Sequence, residues 1–245
     1  MSNTNSNRLE NPLTTVHEFK SYASYLKGKR GLEIGGPSGD FLPLDVYSVP
    51  ASVDNVNFSE VTLWNRQQNN TPYMFQGKEC PGQVYICDGV DLRGVIKDEE
   101  YDFVFASHTL EHMVNPLRAL KEWSRVLKKD GLLLLVLPWK TGTFDHKRPI
   151  SKMSQLIDFY NSGRGEEYVM DLLPEILETY DLSRDGGAGT REQFIDRCKY
   201  QYYNRALHVH VFDFDLLDEC LEFIGFKVLD KQLVFPYHQI VLASK

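Results

Sequence analysis

A short apolar run that ends in a glycine-rich turn, Gly31-Leu32-Glu33-Ile34-Gly35-Gly36-Pro37-Ser38-Gly39, constrains this chain more than any other stretch. It reads as a buried strand whose end turns sharply and leaves backbone N–H groups open to a ligand. Glycine permits positive φ there and removes the Cβ that would bar a ligand from the main chain. Glu33 puts an acceptor at the strand tip, suited to hydroxyls or a cation, and an acid at that place argues against a bound phosphate. The turn also lacks the G-x-G-x-x-G spacing of a dinucleotide loop, because Pro37 and Ser38 follow Gly36. A second glycine cluster, 185–190, lacks the Gly-Lys-Ser/Thr of a P-loop and reads as a mobile loop.

Strands and helices alternate on either side of that turn. Val16, Phe19, Tyr22, Tyr25 and Leu26 have helical spacing and predict an N-terminal helix. Strands are expected at 32–34, 46–53, 84–87 and 101–106, then a helix over 116–127 ended by Lys128-Lys129-Asp130-Gly131. Leu132 to Leu137 is a continuous apolar run, as in the centre of a parallel sheet covered on both faces. The pattern breaks over 140–207, with helical pieces at 151–162, 167–181 and 190–204. It resumes with a helix at 215–224 stopped by Gly225, and with two strands, 227–234 and 239–243, joined by an antiparallel turn. The expected fold is a doubly wound, Rossmann-like α/β sheet with an antiparallel C-terminal strand and a helical insertion. The expected organisation is a tail and helix over 1–27, an α/β core over 28–139, a helical cap over 140–207 and completion of the core over 208–245.

The 245 residues suit one domain with an insertion. A formal charge of −7 argues against a broad basic surface for nucleic acid. Cys80, Cys87, Cys198 and Cys220 show no C-x-x-C and read as reduced thiols of a cytoplasmic protein. Residues 1–8 read as a disordered polar tail without signal-peptide character, and no apolar run is long enough for a bilayer.

In an open α/β sheet, ligands bind beyond the carboxyl ends of the strands. Glu33 with Gly35, Asp54 with Asn55, Asp88 with Gly89, and Ser107 with His108 stand at four expected strand ends. Together with Thr109-Leu110-Glu111-His112, Asn115-Pro116-Leu117, Arg125-Val126-Leu127-Lys128 and Gly131-Leu132-Leu133, they resemble the class I S-adenosylmethionine-dependent methyltransferases. The resemblance covers about residues 28–140 and the last thirty. More narrowly, Gly35-Gly36-Pro37-Ser38, 54–59, 143–149 and 208–213 look like a bacterial subfamily linked with sugar and surface-polysaccharide (capsular) modification. The resemblance implies S-adenosylmethionine as cofactor, with Glu33, Gly35 and Gly36 at the methionine portion, Asp54 at the ribose, and Asp88-Gly89 at the adenine. Asn55, Ser107 and His108 complete the expected cofactor set. Pro37 departs from the usual E-x-G-x-G-x-G and removes one N–H from the turn.

A sulfonium donor leaves as a neutral thioether, so the enzyme's tasks are alignment and, for a hydroxyl acceptor, removal of a proton. Candidates for that proton are His112, His146 beside Asp145, and His208 with His210, whose alternation points both rings to one side of an extended chain. Asp145 or Asp213 is expected to orient an imidazole. A His208-x-His210 metal pair ranks below base catalysis, so no metal site is assigned and a metal requirement stays open. His17 and His238 read as incidental. Lys140, Lys147 and Arg148 suit an anionic acceptor, while Tyr200, Tyr202 and Tyr203 with Phe194 read as cap packing or a sugar-stacking wall. The expected partner is a small polar, sugar-containing acceptor, methylated on oxygen. Methylation of a nitrogen or a phosphoramidate-type group, and a fold retained without turnover, are the alternatives.

Overall fold

A computed structural model describes residues 15–16, 18–64, 66–75 and 78–245. The expected tail, His17 and the side chain of Cys80 lie outside the described residues. Nine strands form one sheet in the order β1-β8-β9-β7-β6-β2-β3-β5-β4. The central strands β5 (Lys78–Ile86), β3 (Ser52–Asn57), β2 (Arg30–Ile34), β6 (Tyr101–Ser107) and β7 (Leu127–Pro138) run parallel. β9 (His238–Ser244) runs antiparallel to both β7 and β8 (Lys227–Val234). β4 (Pro72–Phe75) and β1 (Thr15–Val16) close the two edges. The order reverses at β2, which lies between β3 and β6, so the glycine turn stands at the switch point of the sheet.

Burial explains the central strands. Leu132 to Leu137 are all buried, and β7 pairs with β6 on one side and β9 on the other. The next face is made by α2 (Pro116–Val126), which begins with Pro116 after Asn115, whose side chain accepts from Arg118 N at 3.1 Å. Its apolar side, Leu117, Leu120 and Trp123, packs with Leu217 and Leu221 of α7 (Phe214–Ile224) in one core. Gly225, with φ of 100°, ends α7 in the left-handed region as expected.

Three local readings are corrected. The N-terminal helix shrinks to α1 (Ala23–Leu26), and Val16 instead lies in the edge strand beside β8. The second core strand is Ser52–Asn57 rather than 46–53: Val46 to Pro50 form turns, and Val46 packs into the core with Val53, Phe103 and Phe105. Lys128 to Asp130 do not end a helix but open β7.

Between β7 and α7 the chain forms α3 (Met153–Ser162), α4 (Val169–Thr179), α5 (Arg191–Lys199) and α6 (Gln201–Asn204). Their inner faces share a small core that includes Leu173, Ile176, Tyr180 and Phe194. Val114, in the turn before α2, belongs to that core and joins it to the sheet.

Candidate active site

A cleft of about 830 Å³ opens beyond the carboxyl ends of β2, β3 and β6, within the range of roughly 300–1,000 Å³ usual for small-molecule sites. The turn after β2 forms its floor. Gly35 and Gly36 have φ of 83° and 74°, which L side chains adopt only under strain. A Cβ on Gly36 would lie 2.1 Å from Glu33 Oε1, and one on Gly35 would lie 2.6 Å from Thr109 Oγ1. Gly35 N donates to Val56 O at 2.8 Å, and the amides of Asn55 and Asn57 donate to the Gly35 and Gly36 carbonyls.

Several expected cofactor residues serve this turn from below. Glu33 is fully buried and does not line the cleft. It accepts from Tyr47 Oη at 2.6 Å and from Tyr73 Oη; Tyr47 Oη in turn accepts from Ser38 N at 2.8 Å. Burial pushes the Glu33 carboxyl up to about 7 against these hydrogen bonds. Asn55 is likewise buried beneath the turn.

Asp54 is corrected outright. It sits in the middle of β3 and accepts from Arg30 Nη2 at 2.7 Å, Tyr101 Oη at 2.7 Å and Gln83 N at 2.8 Å. The register places Asn57 and Phe58, not Asp54, where β3 meets the cleft.

Gly35, Gly36, Pro37, Gly89, Ser107 and His108 do line the cleft. Trp123 Nε1 donates to Gly89 O at 2.9 Å and fixes that turn. Asp88 is held by both Arg205 nitrogens, at 3.1 and 2.6 Å, and Arg205 also lies over the Phe58 ring at 4.6 Å. Despite its burial, this partner holds the Asp88 carboxyl below its usual value. Ser107 Oγ is buried with no hydrogen-bond partner among the described residues.

The opposite wall is rich in imidazole. His112 and His208 line the cleft with ring centroids 4.7 Å apart. His112 Nδ1 donates to Leu207 O at 3.1 Å, and His208 Nδ1 donates to Asp145 Oδ2 at 2.6 Å. Arg148 Nη1 holds the other Asp145 oxygen at 2.7 Å, and burial notwithstanding, these partners keep Asp145 below the usual carboxylate range. Burial drives His112 well below its usual pKa and His108 down to about 3.

The remaining candidates are placed elsewhere. His146 faces Asp181, with Nε2 at 3.4 Å, and not the cleft. His210 Nε2 donates to Val114 O at 3.0 Å and its ring borders a separate small cavity; burial lowers it to about 4. His208 lines the cleft and His210 the other cavity, so the expected pair is split. Asp213 caps α7 and orients no imidazole. Arg148 spends its donors on Asp145, His208 O and Val209 O, and Lys147 on Asp181. Tyr200, Tyr202 and Tyr203 point outward, while Phe194 is buried. The loop after α4 is tied down: Asp185 accepts from Tyr180 Oη at 2.6 Å and Arg197 Nη2 at 3.0 Å.

Sequence reasoning missed Asn57, Arg205, Trp64 and His238 at the cleft. His238 was set aside, yet its Nδ1 lies 3.0 Å from His108 Nε2. It also left Glu111 without a role, although the residue sits in the quoted Leu110-Glu111-His112. Glu111 is 1% exposed, neither of its oxygens has a hydrogen-bond partner among the described residues, and burial pushes it up to about 7.

Residues 32–135 match the family described as a methyltransferase domain. A protein of Methanocaldococcus jannaschii described as uncharacterized is 27% identical over 174 residues, 68% of this chain and 73% of its own length. A ubiquinone biosynthesis O-methyltransferase of Glaesserella parasuis is 25% identical over 174 residues, 71% of this chain and 66% of its own. A crystal structure of a SAM-dependent methyltransferase from Methanosarcina mazei superposes with a TM-score of 0.52 at 17% identity, over 91% of this chain and 95% of its own. With the glycine turn at the switch point of the sheet, the likeness to that structure shows a Rossmann-like methyltransferase fold, and the matched domain spans its central strands. The protein is an S-adenosylmethionine-dependent methyltransferase enzyme. No helix among the described residues is long and apolar enough to cross a membrane.

Proposed function

We propose that this enzyme moves the methyl group of S-adenosylmethionine onto a hydroxyl oxygen of a small polar acceptor, with a sugar, nucleotide sugar or surface-glycan precursor as the favoured class. The observation that carries this reading is a cleft with two chemically different ends. One end offers the open backbone of Gly35 and Gly36, the Asn57 carboxamide and the Gly89 turn; the other gathers His112 and His208 with Glu111 behind them.

In this reading the Gly35–Gly36 backbone holds the methionine portion, Asn57 takes the ribose hydroxyls, and the adenine lies by Gly89, with Asp88 within reach once Arg205 moves. The sulfonium then faces the imidazole end. A hydroxyl placed there forms the new C–O bond as the C–S pair leaves on sulfur, and the polar end must bind that oxygen and let its proton go. His146 and His210 drop out of this role by position, leaving His112 and His208, with Asp145 orienting His208. Trp64, 65% exposed and 5.7 Å from the His112 ring, and Phe144, 4.5 Å from the His208 ring, supply faces on which a sugar ring packs. The helical segment 140–207 covers this end, and the reading places the enzyme in the cytoplasm with reduced thiols.

An aromatic hydroxyl is the second reading. The same Phe144 face suits it, and the Glaesserella relative is described as an O-methyltransferase of ubiquinone biosynthesis. The test is product analysis by mass spectrometry with nucleotide sugars and phenols offered side by side in methyl-labelled S-adenosylmethionine. A labelled sugar methyl ether is the expected product. A phenol ether selects the second reading, and a product methylated on nitrogen overturns both.

A further inference from the structure

We propose that Glu111, His112 and His208 form a binding site for one divalent transition-metal ion at the acceptor end of the cleft. Three donor atoms converge there: Nε2 of His112 lies 3.8 Å from Glu111 Oε1, Nε2 of His208 lies 3.9 Å from it, and all three lie within 4.8 Å of one another. Donors stand about 3.4 Å apart around a tetrahedral ion with bonds of about 2.1 Å, so small side-chain rotations close the set.

The hydrogen bonds on the far side of each ring fix which nitrogen faces the ion. A carbonyl and a carboxylate only accept, so Nδ1 of His112 carries its proton toward Leu207 O, and Nδ1 of His208 carries its proton toward Asp145. In the neutral form of each ring, Nε2 is therefore a lone pair facing Glu111. This is how metal-binding histidines are held, with the other ring nitrogen on a carbonyl or carboxylate. Arg148 anchors Asp145 in turn at 2.7 Å.

Glu111 makes the case independent of the imidazoles. It is buried, and neither oxygen accepts a hydrogen bond from any described residue. A buried carboxylate facing two imidazole lone pairs is unfavourable until a proton or a cation fills the space between them. The nearest further nitrogen, His108 Nδ1, lies 3.5 Å from Glu111 Oε1. When His108 Nε2 donates to His238, that atom is a fourth lone pair. The main chain holds the site closed as well: Val209 N and His210 N donate to Glu111 O at 2.7 and 3.1 Å, which ties the third ligand to the first two.

Two imidazoles and one carboxylate suit Zn²⁺, Co²⁺, Fe²⁺ or Mn²⁺, whereas Mg²⁺ and Ca²⁺ favour oxygen-only sets. His112 and His208 line the cleft, so an ion held there would be open to the acceptor side. The role of the ion in turnover rests on the O-methyl reading above. It would supply Lewis acidity to an acceptor hydroxyl, whose proton would go to water as its oxygen pair forms the bond to the methyl carbon and the C–S pair leaves on sulfur, giving the ether and S-adenosylhomocysteine.

The site itself is tested without turnover. Untagged protein freed of metal by chelation is titrated with Co²⁺ by visible absorption and with Zn²⁺ by calorimetry, and S-adenosylhomocysteine binding is measured on the same metal-free sample. The expected result is one ion per chain, with affinity at least about 100-fold weaker in Glu111→Gln and in His208→Ala, and about 10–100-fold weaker in Asp145→Asn with a shifted Co²⁺ spectrum. Should Glu111→Gln fail to fold, His112→Gln carries the same decision. Failure of the wild type to bind Co²⁺ and Zn²⁺, or variants that bind as tightly as the wild type, overturns the site. Loss of S-adenosylhomocysteine binding alone overturns the cofactor placement and leaves the metal site standing.

Discussion

The support beneath the glycine turn makes a sharp prediction about pH. Glu33 is fully buried under Gly36, and its pKa is raised from 4.5 to about 7. Below pH 4.5 both folded and unfolded chains hold the proton. As pH rises from 4.5 to 7, the unfolded chain releases it while the native protein keeps it, so stability falls with rising pH and levels off above 7. The whole change is about 3 kcal/mol, most of which falls between pH 5 and pH 8. Glu33→Gln is neutral throughout and removes only this contribution. Urea unfolding of wild type and variant across pH 5–8 should therefore give stability curves that diverge by that amount, with the wild type losing more toward alkaline pH. Parallel curves would refute the reasoning: they would mean that the phenols of Tyr47 and Tyr73 outweigh desolvation and keep Glu33 ionised at pH 5. A wild type that gains stability relative to the variant as pH rises would refute it more strongly.

The other predictions separate binding from support. Asp54→Ala should cost about 2–3 kcal/mol in unfolding free energy, because Tyr101 Oη and Gln83 N lose a buried acceptor, yet leave S-adenosylhomocysteine affinity unchanged by calorimetry. Asn57→Ala should weaken that affinity about tenfold or more, by removing the proposed ribose acceptor and the tie to Gly36 O. Arg205→Ala should hasten limited proteolysis within 140–207, since it deletes both the Asp88 pair and the contact with Phe58.

The sheet was legible because its signals are local. The apolar run 132–137, the capped start of α2 and the glycine stop of α7 each lie within one stretch of chain. β3 was misplaced because nothing in it alternates: Asp54, Asn55 and Asn57 are buried polar residues, the first with partners on other strands and the other two with partners in the glycine turn. Val46 and Val49 mimic a strand but pack from turns into the core below β2. That displacement carried the ribose assignment to Asp54, several residues short of the strand end. The imidazoles failed for a related reason. Alternation at His208 and His210 predicts one face only for an extended chain, whereas here the segment is held by long-range bonds, Arg148 taking two of its carbonyls and Glu111 O two of its N–H groups, and the two rings line different cavities. Those contacts span much of the chain and leave no trace in local spacing.

Three buried acids show what such long-range pairing decides. Asp145 lies between Arg148 and His208, and its charge is balanced. Glu33 has two phenol donors and no cation, so burial and hydrogen bonding compete and its proton is loosely held near neutrality. Glu111 is as buried as the others, yet neither of its oxygens accepts a hydrogen bond among the described residues, and only imidazole nitrogens at 3.5–3.9 Å face it. Desolvation alone would select against an acid so placed, since apolar packing at the same position costs less. Of the three, Glu111 stands directly behind the rings of His112 and His208 that line the cleft. Among the described residues, the one of these acids with neither oxygen hydrogen-bonded is therefore not the strand-tip acid that first marks the site but the one beyond the neighbouring strand β6, behind the imidazoles of the cleft.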